Sequence, residues 1–330
     1  SYNFDLNSGG YYYITFTHEL GHALGLAHPH NGGGAWTFTP YNGNFGSEYY
    51  PGVTGYTSGG DNYLNSTPFT VMTYNDSTSS LTTTDPQGNT EYVTPRNTVN
   101  YGYNENLGVF DIATLQYLYG PNTTKSIGDD IYDLTSNDRN GYFTIWDNGG
   151  TDEISAENAN YAVSIDLRNA TLLNEDGGGG YISKVDGNYY GFVIAYDTTG
   201  TAIIENATGS YNNDKIVGNS SANTLDGGSG DDTMSGGDGD DIYVVDSTGD
   251  TVTENSSEGT DTIQASVTYT ASSNVENLTL TGSGDIDGTG NSLDNTLTGN
   301  SGDNTLDGDS GDDTLDGGSG DDTMSGGDGD

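Results

Sequence analysis

The chain has 330 residues and a formal net charge of −43, and only 31% of its residues are hydrophobic. No lysine or arginine follows Lys215. A surface this acidic repels phosphate backbones and anionic lipid headgroups, so the charge argues against nucleic acid and against membrane insertion. The sequence contains no cysteine, so neither disulfide bonds nor thiol chemistry is available to it.

The first periodic element of the chain is a helix. Residues 11–27 read YYYITFTHELGHALGLA, and their apolar side chains recur at a spacing closer to helical than to alternating. This spacing predicts a helix from about Tyr12 to Leu24. Gly25 supplies a left-handed exit from the helix, and Pro29 prevents the helix from resuming.

Three histidines and one glutamate are concentrated on and just after this helix. His18 and His22 are four residues apart and therefore lie on one helical face, with Glu19 beside the first. A turn at Gly25 allows His28 to become a third ligand, which leaves one position of a four-coordinate zinc open for water. An open position is typical of a catalytic zinc site, in which Glu19 can take a proton from the water and deliver it to a leaving amine.

The middle of the chain contains a second helix and several short strands. Apolar residues at helical spacing predict a helix over Gly108 to Tyr119, and Gly120-Pro121 ends it. The runs YFTIW, AVSIDL and GFVIAY then indicate a strand-rich segment over residues 122–208.

A nine-residue period begins at Gly209, as GSYNNDKIV, GNSSANTLD, GGSGDDTMS and GGDGDDIYV. It returns at Gly290 as GNSLDNTLT, GNSGDNTLD, GDSGDDTLD and GGSGDDTMS. In this pattern the glycines permit a tight turn, the sixth residue faces an ion between neighbouring turns, and the apolar eighth residue points inward. Carboxylate and turn carbonyl oxygens are the ligands that calcium prefers. We therefore expect the arrays to be largely unfolded without calcium.

The histidine motif resembles that of the metzincin metalloproteases. HELGHALGLAHP supplies the extended zinc motif, and TVMTY at residues 70–74 fits the methionine turn of that family. Together with the nonapeptides, these segments resemble the serralysin branch of bacterial secreted proteases. The resemblance implies that one catalytic zinc ion is bound by His18, His22, His28 and Tyr74. It also implies that Glu19 is the general base, that Met72 lies beneath the metal, and that Tyr74 can swing to stabilise the oxyanion.

The nonapeptides resemble the RTX (repeats-in-toxin) module, which implies several structural calcium ions. The match is weaker where Asn223, Asn295 and Asn304 replace aspartate. The positions assigned to calcium are Asp214, Gly227, Gly228, Gly230, Asp232, Gly236, Gly237, Gly239, Asp241, Gly311, Asp313, Gly317, Gly318, Gly320 and Asp322.

These observations predict an α+β fold for a partial metzincin catalytic domain, followed by an all-β region with parallel β-roll repeats. The expected division is a catalytic domain without its N-terminal sheet (1–121), a strand-rich linking segment (122–208), a first array (209–244), a β-rich segment between arrays (245–289) and a second array (290–330). Few residues precede the zinc helix and the last repeat breaks off, so we expect a piece of a longer protein.

The leading hypothesis is a secreted, extracellular zinc endopeptidase that cleaves proteins or peptides and is stabilised by calcium. The resemblance also implies export of the full-length parent by type I secretion machinery. The alternative is a calcium-binding extracellular surface or adhesin-like protein with an inactive protease remnant. The intact Glu19 favours the first hypothesis, whereas the short N-terminal part and the long acidic arrays favour the second.

Overall fold

A computed structural model describes residues 81–84, 90–93, 106–119, 121–135, 141–172, 180–186, 190–196 and 203–329. The predicted zinc helix, the zinc ligands, Glu19, Met72 and Tyr74 lie outside these residues. The first described element is an antiparallel pair, β1 (Leu81–Thr84) with β2 (Thr90–Val93).

One helix, α1, spans Val109–Tyr119, where the sequence predicts a helix over Gly108 to Tyr119. The N–H of Gly108 donates to Asp111 Oδ2 at 2.9 Å, and the Gly108 carbonyl accepts the first helical bond from the N–H of Ile112 at 3.0 Å. A carboxylate in the first turn therefore caps the helix and faces the positive end of its dipole. Val109 and Phe110 are buried against Val193, which lies in a strand of the β region.

All the remaining elements of the described chain are strands, joined by turns and loops. The strands are β3 (Ile131–Asp133), β4 (Tyr142–Ile145), β5 (Glu153–Ser155), β6 (Val163–Asp166), β7 (Ile182–Val185), β8 (Gly191–Ile194), β9 (Asn206–Ser210), β10 (Lys215–Val217), β11 (Thr224–Gly228), β12 (Thr233–Ser235), β13 (Ile242–Val245), β14 (Thr251–Thr253), β15 (Thr262–Ala265), β16 (Tyr269–Thr270), β17 (Asn277–Leu280), β18 (Gly288–Thr289), β19 (Thr296–Thr298), β20 (Thr305–Asp307), β21 (Thr314–Asp316) and β22 (Thr323–Ser325). The runs YFTIW, AVSIDL and GFVIAY each contain one of these strands.

Three sheets contain these strands, which pair in parallel except that β7 is antiparallel to β6 and β8, and from β9 onward they form a parallel β-roll. A nine-stranded sheet has the order β21-β19-β17-β15-β13-β11-β9-β5-β3, and all of its neighbours are parallel. From β9 onward, consecutive strands alternate between this sheet and an opposing one. The opposing sheet is seven-stranded (β14-β12-β10-β6-β7-β8-β4) up to β14 and four-stranded (β16-β18-β20-β22) after it.

Two nonapeptides make one coil of the roll. Leu225 is the register partner of Tyr243, 18 residues later. The N–H of Asp214 likewise donates to the side chain of Asp232, 18 residues later. The eighth residue of each repeat therefore stacks on the eighth residue of the repeat two positions later. Ile216, Leu225 and Met234 are at most 1% exposed, as the period predicts for inward-pointing residues. Stacked aliphatic side chains thus form one continuous core between the sheets.

The segment 245–289 continues the same roll although it lacks the nine-residue period. Strand β15 pairs with β13 of the first array, and β17 pairs with β19 of the second. Its coils differ in length, since register partners in successive strands are 20, 15 and 19 positions apart: Ile242 with Thr262, Thr262 with Asn277, and Asn277 with Thr296. The parallel strand pairing continues through these coils because each difference in length lies in a turn rather than in a strand.

No helix in the described part of the chain is long and apolar enough to span a membrane.

Glycine is required in the turns for two separate reasons. Gly230 has a φ of +141°, which residues with a Cβ rarely adopt. Gly227 has no such φ, but a Cβ added there would overlap the carboxylate of Asp232. The first glycine of the repeat therefore leaves room for the sixth residue to fold back under the turn.

Candidate metal centres

The sixth residue of each nonapeptide lies directly before a strand, at the end of a turn. Asp214, Asp232 and Asp241 are 4%, 1% and 1% exposed, although each is an ionisable side chain. Burial of a carboxylate without a compensating partner is costly. The partners of these side chains therefore decide how the roll is stabilised.

One oxygen of each carboxylate is used to join neighbouring coils. Asp232 Oδ1 accepts a hydrogen bond from the N–H of Asp214 at 2.7 Å, and Asp241 Oδ1 accepts one from the N–H of Asn223 at 2.6 Å. The same bond, at 2.8 Å, runs from the N–H of Asn295 to Asp313 Oδ1 in the second array. Each sixth residue thus pairs its side chain with the backbone of the preceding coil.

The second oxygen of the same carboxylates has no partner. Asp232 Oδ2, Asp241 Oδ2 and Asp313 Oδ2 are buried and accept no hydrogen bond. A buried anionic oxygen left unpaired destabilises a fold, which makes these atoms candidate ligands for a cation. Calcium fits this donor set because it binds six to eight hard oxygens, and turn carbonyls lie beside the carboxylates.

Three repeats replace the carboxylate by an amide, and in them the same site contains hydrogen-bond donors. Asn295 Nδ2 donates to the carbonyls of Val275 and Glu276 at 3.0 and 3.1 Å. Asn304 Nδ2 donates to the carbonyl of Ile286 at 2.7 Å. In these repeats the amide oxygen takes the place of the unpaired aspartate oxygen beside the first glycine, where it accepts the N–H of the second residue of the repeat. The NH2 group takes the place of the oxygen that meets the preceding coil, so a weaker sequence match here corresponds to a different local chemistry.

These amide repeats also carry asparagine at their second position, as Asn219, Asn291 and Asn300. Asn291 Nδ2 donates to the carbonyls of Ser272 and Val275, both at 2.7 Å. Two side-chain amides per turn thus satisfy carbonyls of a preceding coil that is not a nonapeptide. The unpaired aspartate oxygens, in contrast, occur in coils that follow another nonapeptide.

A second acidic group lies before the arrays and was not identified in the sequence. Asp130, Asp147 and Asp152 place one carboxylate oxygen each within 4.8 Å of the others. Asp152 is fully buried, its Oδ1 accepts the N–H of Asp130 at 2.8 Å, and its Oδ2 has no partner. The sequence WDNGGTD, with two aspartates around a glycine turn, is the signal that could have indicated this group.

The electrostatics of both groups favour neutralisation. Burial raises the pKa of Asp152 to about 7, and the carboxylates of Asp147 and Glu205 add to the shift by repulsion. Burial likewise raises the pKa of Asp232 and of Asp241 to about 7, again with repulsion from neighbouring acids. A bound cation would lower these pKa values and keep the carboxylates ionised.

An aspartate in place of an asparagine at the sixth position should make the stability of the roll more dependent on calcium, and an asparagine in place of an aspartate should make it less dependent. We expect Asn295→Asp to lower the free energy of unfolding at limiting calcium by about 1–3 kcal/mol, because two donors are lost and a charge is buried. Asp232→Asn should raise it, because an unpaired anionic oxygen is removed. Denaturant unfolding at a limiting and at a millimolar calcium concentration would measure both. Equal changes in the two variants would contradict the assignment of the amides as substitutes for a cation.

Without calcium, the roll should lose stability as the pH rises. The pKa of Asp232 and Asp241 is about 7 in the folded state and about 3.9 for an aspartate in an unfolded chain, so between these two values the folded state binds more protons. The stability is therefore greatest in mild acid and decreases through about pH 7. Far-UV circular dichroism in a chelator should show a larger strand signal at about pH 5 than at about pH 8. A strand signal that rises over this interval would contradict the burial of these carboxylates.

Comparison with known proteins identifies the same repeats. Residues 208–243 and 289–324 match the RTX calcium-binding nonapeptide repeat, each segment lying at one of the two arrays. The match includes the amide repeats as well as the carboxylate repeats.

Relatives of the chain include several proteases. It is 32% identical over 173 residues to serralysin of Proteus mirabilis, which covers 48% of this chain and 28% of that protein. Identity is 31% over 188 residues to serralysin C of Dickeya chrysanthemi and 31% over 186 residues to metalloprotease AprA of Pseudomonas entomophila, each covering 52% of this chain and 32% of the relative. The chain thus spans about a third of the length of these relatives. It carries RTX calcium-binding nonapeptide repeats folded as a parallel β-roll, and over about half of its length it is similar to serralysins and a related metalloprotease.

Proposed function

We propose that the chain is part of a secreted zinc endopeptidase whose β-roll is folded and stabilised by calcium. The observation that carries the calcium part is the set of buried aspartate oxygens without a hydrogen-bond donor. The zinc part rests on the motif at residues 18–28 and on the similarity to proteins named serralysin and metalloprotease AprA. The two parts are therefore supported by different residues and can be tested separately.

The donor set of the proposed zinc site has the chemistry that zinc prefers. His18, His22 and His28 supply three imidazole nitrogens, and this number of protein ligands leaves a position for water or substrate. A zinc ion held there would lower the pKa of a bound water to about 7 and polarise a peptide carbonyl. Glu19 would accept the proton of the attacking water and return it to the leaving amine, while Tyr74 would stabilise the oxyanion through its hydroxyl.

Extracellular proteins and peptides are the proposed substrates, and export by type I secretion machinery is proposed for the parent protein. A roll that requires calcium suits an extracellular setting, because calcium sites of extracellular modules bind with Kd values of about 10⁻⁴–10⁻³ M. The absence of cysteine is compatible with that setting, since metal ions can take the stabilising role of disulfides in such proteins.

A second function is a calcium-binding surface protein with an inactive protease remnant. The continuous roll over residues 203–329 favours this alternative, because it forms a long acidic body without any of the zinc-motif residues. The two functions differ in whether Glu19 has a catalytic role. Activity of matched variants therefore separates them.

The Glu19→Ala variant should lose proteolysis by about 10²–10⁴-fold, because the proton acceptor of the attacking water is removed. The measurement is cleavage of casein by the chain refolded with zinc and calcium. Zinc retention after dialysis should be unchanged in this variant, since all three histidines remain.

Glu48→Ala is the matched control, because it removes one acidic side chain outside the motif and should leave both cleavage and zinc binding unchanged. A chain that retains zinc but cleaves no faster than its Glu19→Ala variant would support the surface-protein alternative. Cleavage that is equal in all three proteins would exclude the proposed role of Glu19.

Removal of calcium should unfold the arrays. Carboxylates that lie beside one another in successive coils repel when no cation separates them, and each bound ion contributes folding free energy. Far-UV circular dichroism should show a large loss of strand signal in chelator and its recovery in millimolar calcium. The same strand signal under both conditions would refute the calcium part of the proposal.

A further inference from the structure

A group of three carboxylates lies where the nine-residue period of the first array ends. Asp241 lies directly before β13, Glu254 directly after β14, and Asp261 directly before β15. One carboxylate oxygen of each lies within 4.8 Å of the others. Asp241 belongs to a nonapeptide, whereas Glu254 and Asp261 lie outside both segments that match the repeat family. The nonapeptide pattern therefore does not specify this group.

All three side chains are buried, and two of their oxygens have no hydrogen-bond partner. The exposed fractions of Asp241, Glu254 and Asp261 are 1%, 6% and 1%. Asp261 Oδ1 accepts the N–H of Asp241 at 2.9 Å, whereas Asp241 Oδ2 and Glu254 Oε2 accept nothing. Two unpaired anionic oxygens thus lie in one buried cluster. A cluster of this kind requires a positive partner.

A tyrosine holds Glu254 in this position. Tyr243 is fully buried at an eighth repeat position, where the other repeats have Ile, Leu or Met. Its hydroxyl donates to Glu254 Oε1 and accepts the N–H of Gly236 at 2.7 Å. The hydroxyl thus uses one oxygen of Glu254 and leaves Oε2 as the unpaired atom.

Glycines leave space around the cluster. A Cβ at Gly236 would overlap Asp241 Oδ2, and a Cβ at Gly259 would overlap the carbonyl oxygen of Gly239 and approach Asp261 Oδ1 to 3.1 Å. The backbone at Gly236 and Gly259 therefore has no side chain that would fill the space beside the cluster, and the carbonyl oxygen of Gly239 lies close to it. Such a mixture of carboxylate and carbonyl oxygens is the ligand type of a hard divalent cation.

Charge around the cluster is uniformly negative. Burial raises the pKa of Asp241 to about 7 and of Glu254 to about 8, and repulsion from Asp261 and Glu258 adds to both shifts. No lysine or arginine occurs after Lys215, so no basic side chain from this part of the sequence can balance the group. A cation from solution is the remaining source of positive charge that leaves all three carboxylates ionised.

We propose that Asp241, Glu254 and Asp261 bind one calcium ion at the junction between the first array and the irregular segment 245–289. This inference rests on the proposal that the roll takes up calcium, and it adds a site for which a nonapeptide supplies only Asp241. The contact between Asp241 and Asp261 joins residues 20 positions apart, whereas the coils before it have a spacing of 18. The ion therefore holds the longer turn 254–261 against β13 and keeps the sheet in register.

Calcium is favoured over zinc and magnesium by the ligands themselves. The group contains only oxygen donors, whereas zinc sites usually include histidine or cysteine. Magnesium retains several waters and requires a near-ideal octahedron, which a buried site lined by three carboxylates does not provide. An oxygen site with three negative charges suits the larger and less demanding ion.

The test counts calcium ions bound per full chain by equilibrium dialysis at fixed free calcium. We expect Glu254→Gln and Asp261→Asn each to bind one ion fewer than the unaltered chain, because each loses one charged ligand of the same site. The double variant should also lose one ion, not two. Glu157→Gln is the charge control, since Glu157 is exposed and distant in sequence from the three proposed ligands. The number of calcium ions bound by this variant should not change.

Circular dichroism at saturating calcium verifies that each variant has the strand signal of the unaltered chain. If one single variant fails to fold, the calcium count of the other still tests the site. An unchanged count in a folded variant would overturn the proposal. A loss of two ions in the double variant would overturn it as well, because Glu254 and Asp261 would then serve different sites. If the unaltered chain bound no calcium, both this site and the proposed calcium binding by the roll would be refuted. If the unaltered chain binds calcium but the folded variants bind as many ions, only this site is refuted.

Discussion

The stacking of acidic side chains on the backbone of the preceding coil is the constraint from which the rest of the roll follows. A coil of two nonapeptides places each sixth residue beside its equivalent in the preceding coil, and one carboxylate oxygen accepts the backbone N–H of that residue. The other oxygen is then buried without a donor. Because no basic side chain occurs in the sequence after Lys215 to supply the missing partner, the architecture depends on cations for its charge balance.

Two residue types occupy the sixth position of the repeats, and which one is present depends largely on whether the preceding coil is a nonapeptide. Where the preceding coil is irregular, asparagine supplies an NH2 group to its carbonyls at three repeats, as Asn223 and Asn295 do. Asp214 is the exception, and both of its oxygens accept backbone N–H groups, from Val163 and Ser210. Where the preceding coil is itself a nonapeptide, aspartate is present and its second oxygen is free for an ion, as at Asp232 and Asp313. Amide coils therefore connect the arrays to irregular segments by hydrogen bonds alone, and carboxylate coils make the interior of the arrays responsive to calcium.

Much of this architecture could be predicted from the sequence because the period is local and regular. The inward position of Leu225, the helix at residues 109–119 and the strands within residues 122–208 all follow from patterns over fewer than about 20 residues. The continuity through 245–289 and the group of Asp130, Asp147 and Asp152 could not be predicted. Their contacts join residues 15 to 53 positions apart at unequal spacings, so only the pairing of strands reveals them.

An irregular segment inside a regular roll must keep the register of both sheets while its coils change length. Tyr243 shows how a single inward residue can couple the two sheets, because its hydroxyl reaches Glu254 at the end of the opposing strand β14. An aliphatic residue at the same position would fill the core but would leave the carboxylate unoriented. The departure from the repeat pattern at Tyr243 therefore occurs at the last regular coil, where a longer turn has to be held. Core packing and ion binding are thus joined at this junction by one side chain, which is why neither the hydrophobic period nor the spacing of aspartates alone accounts for it.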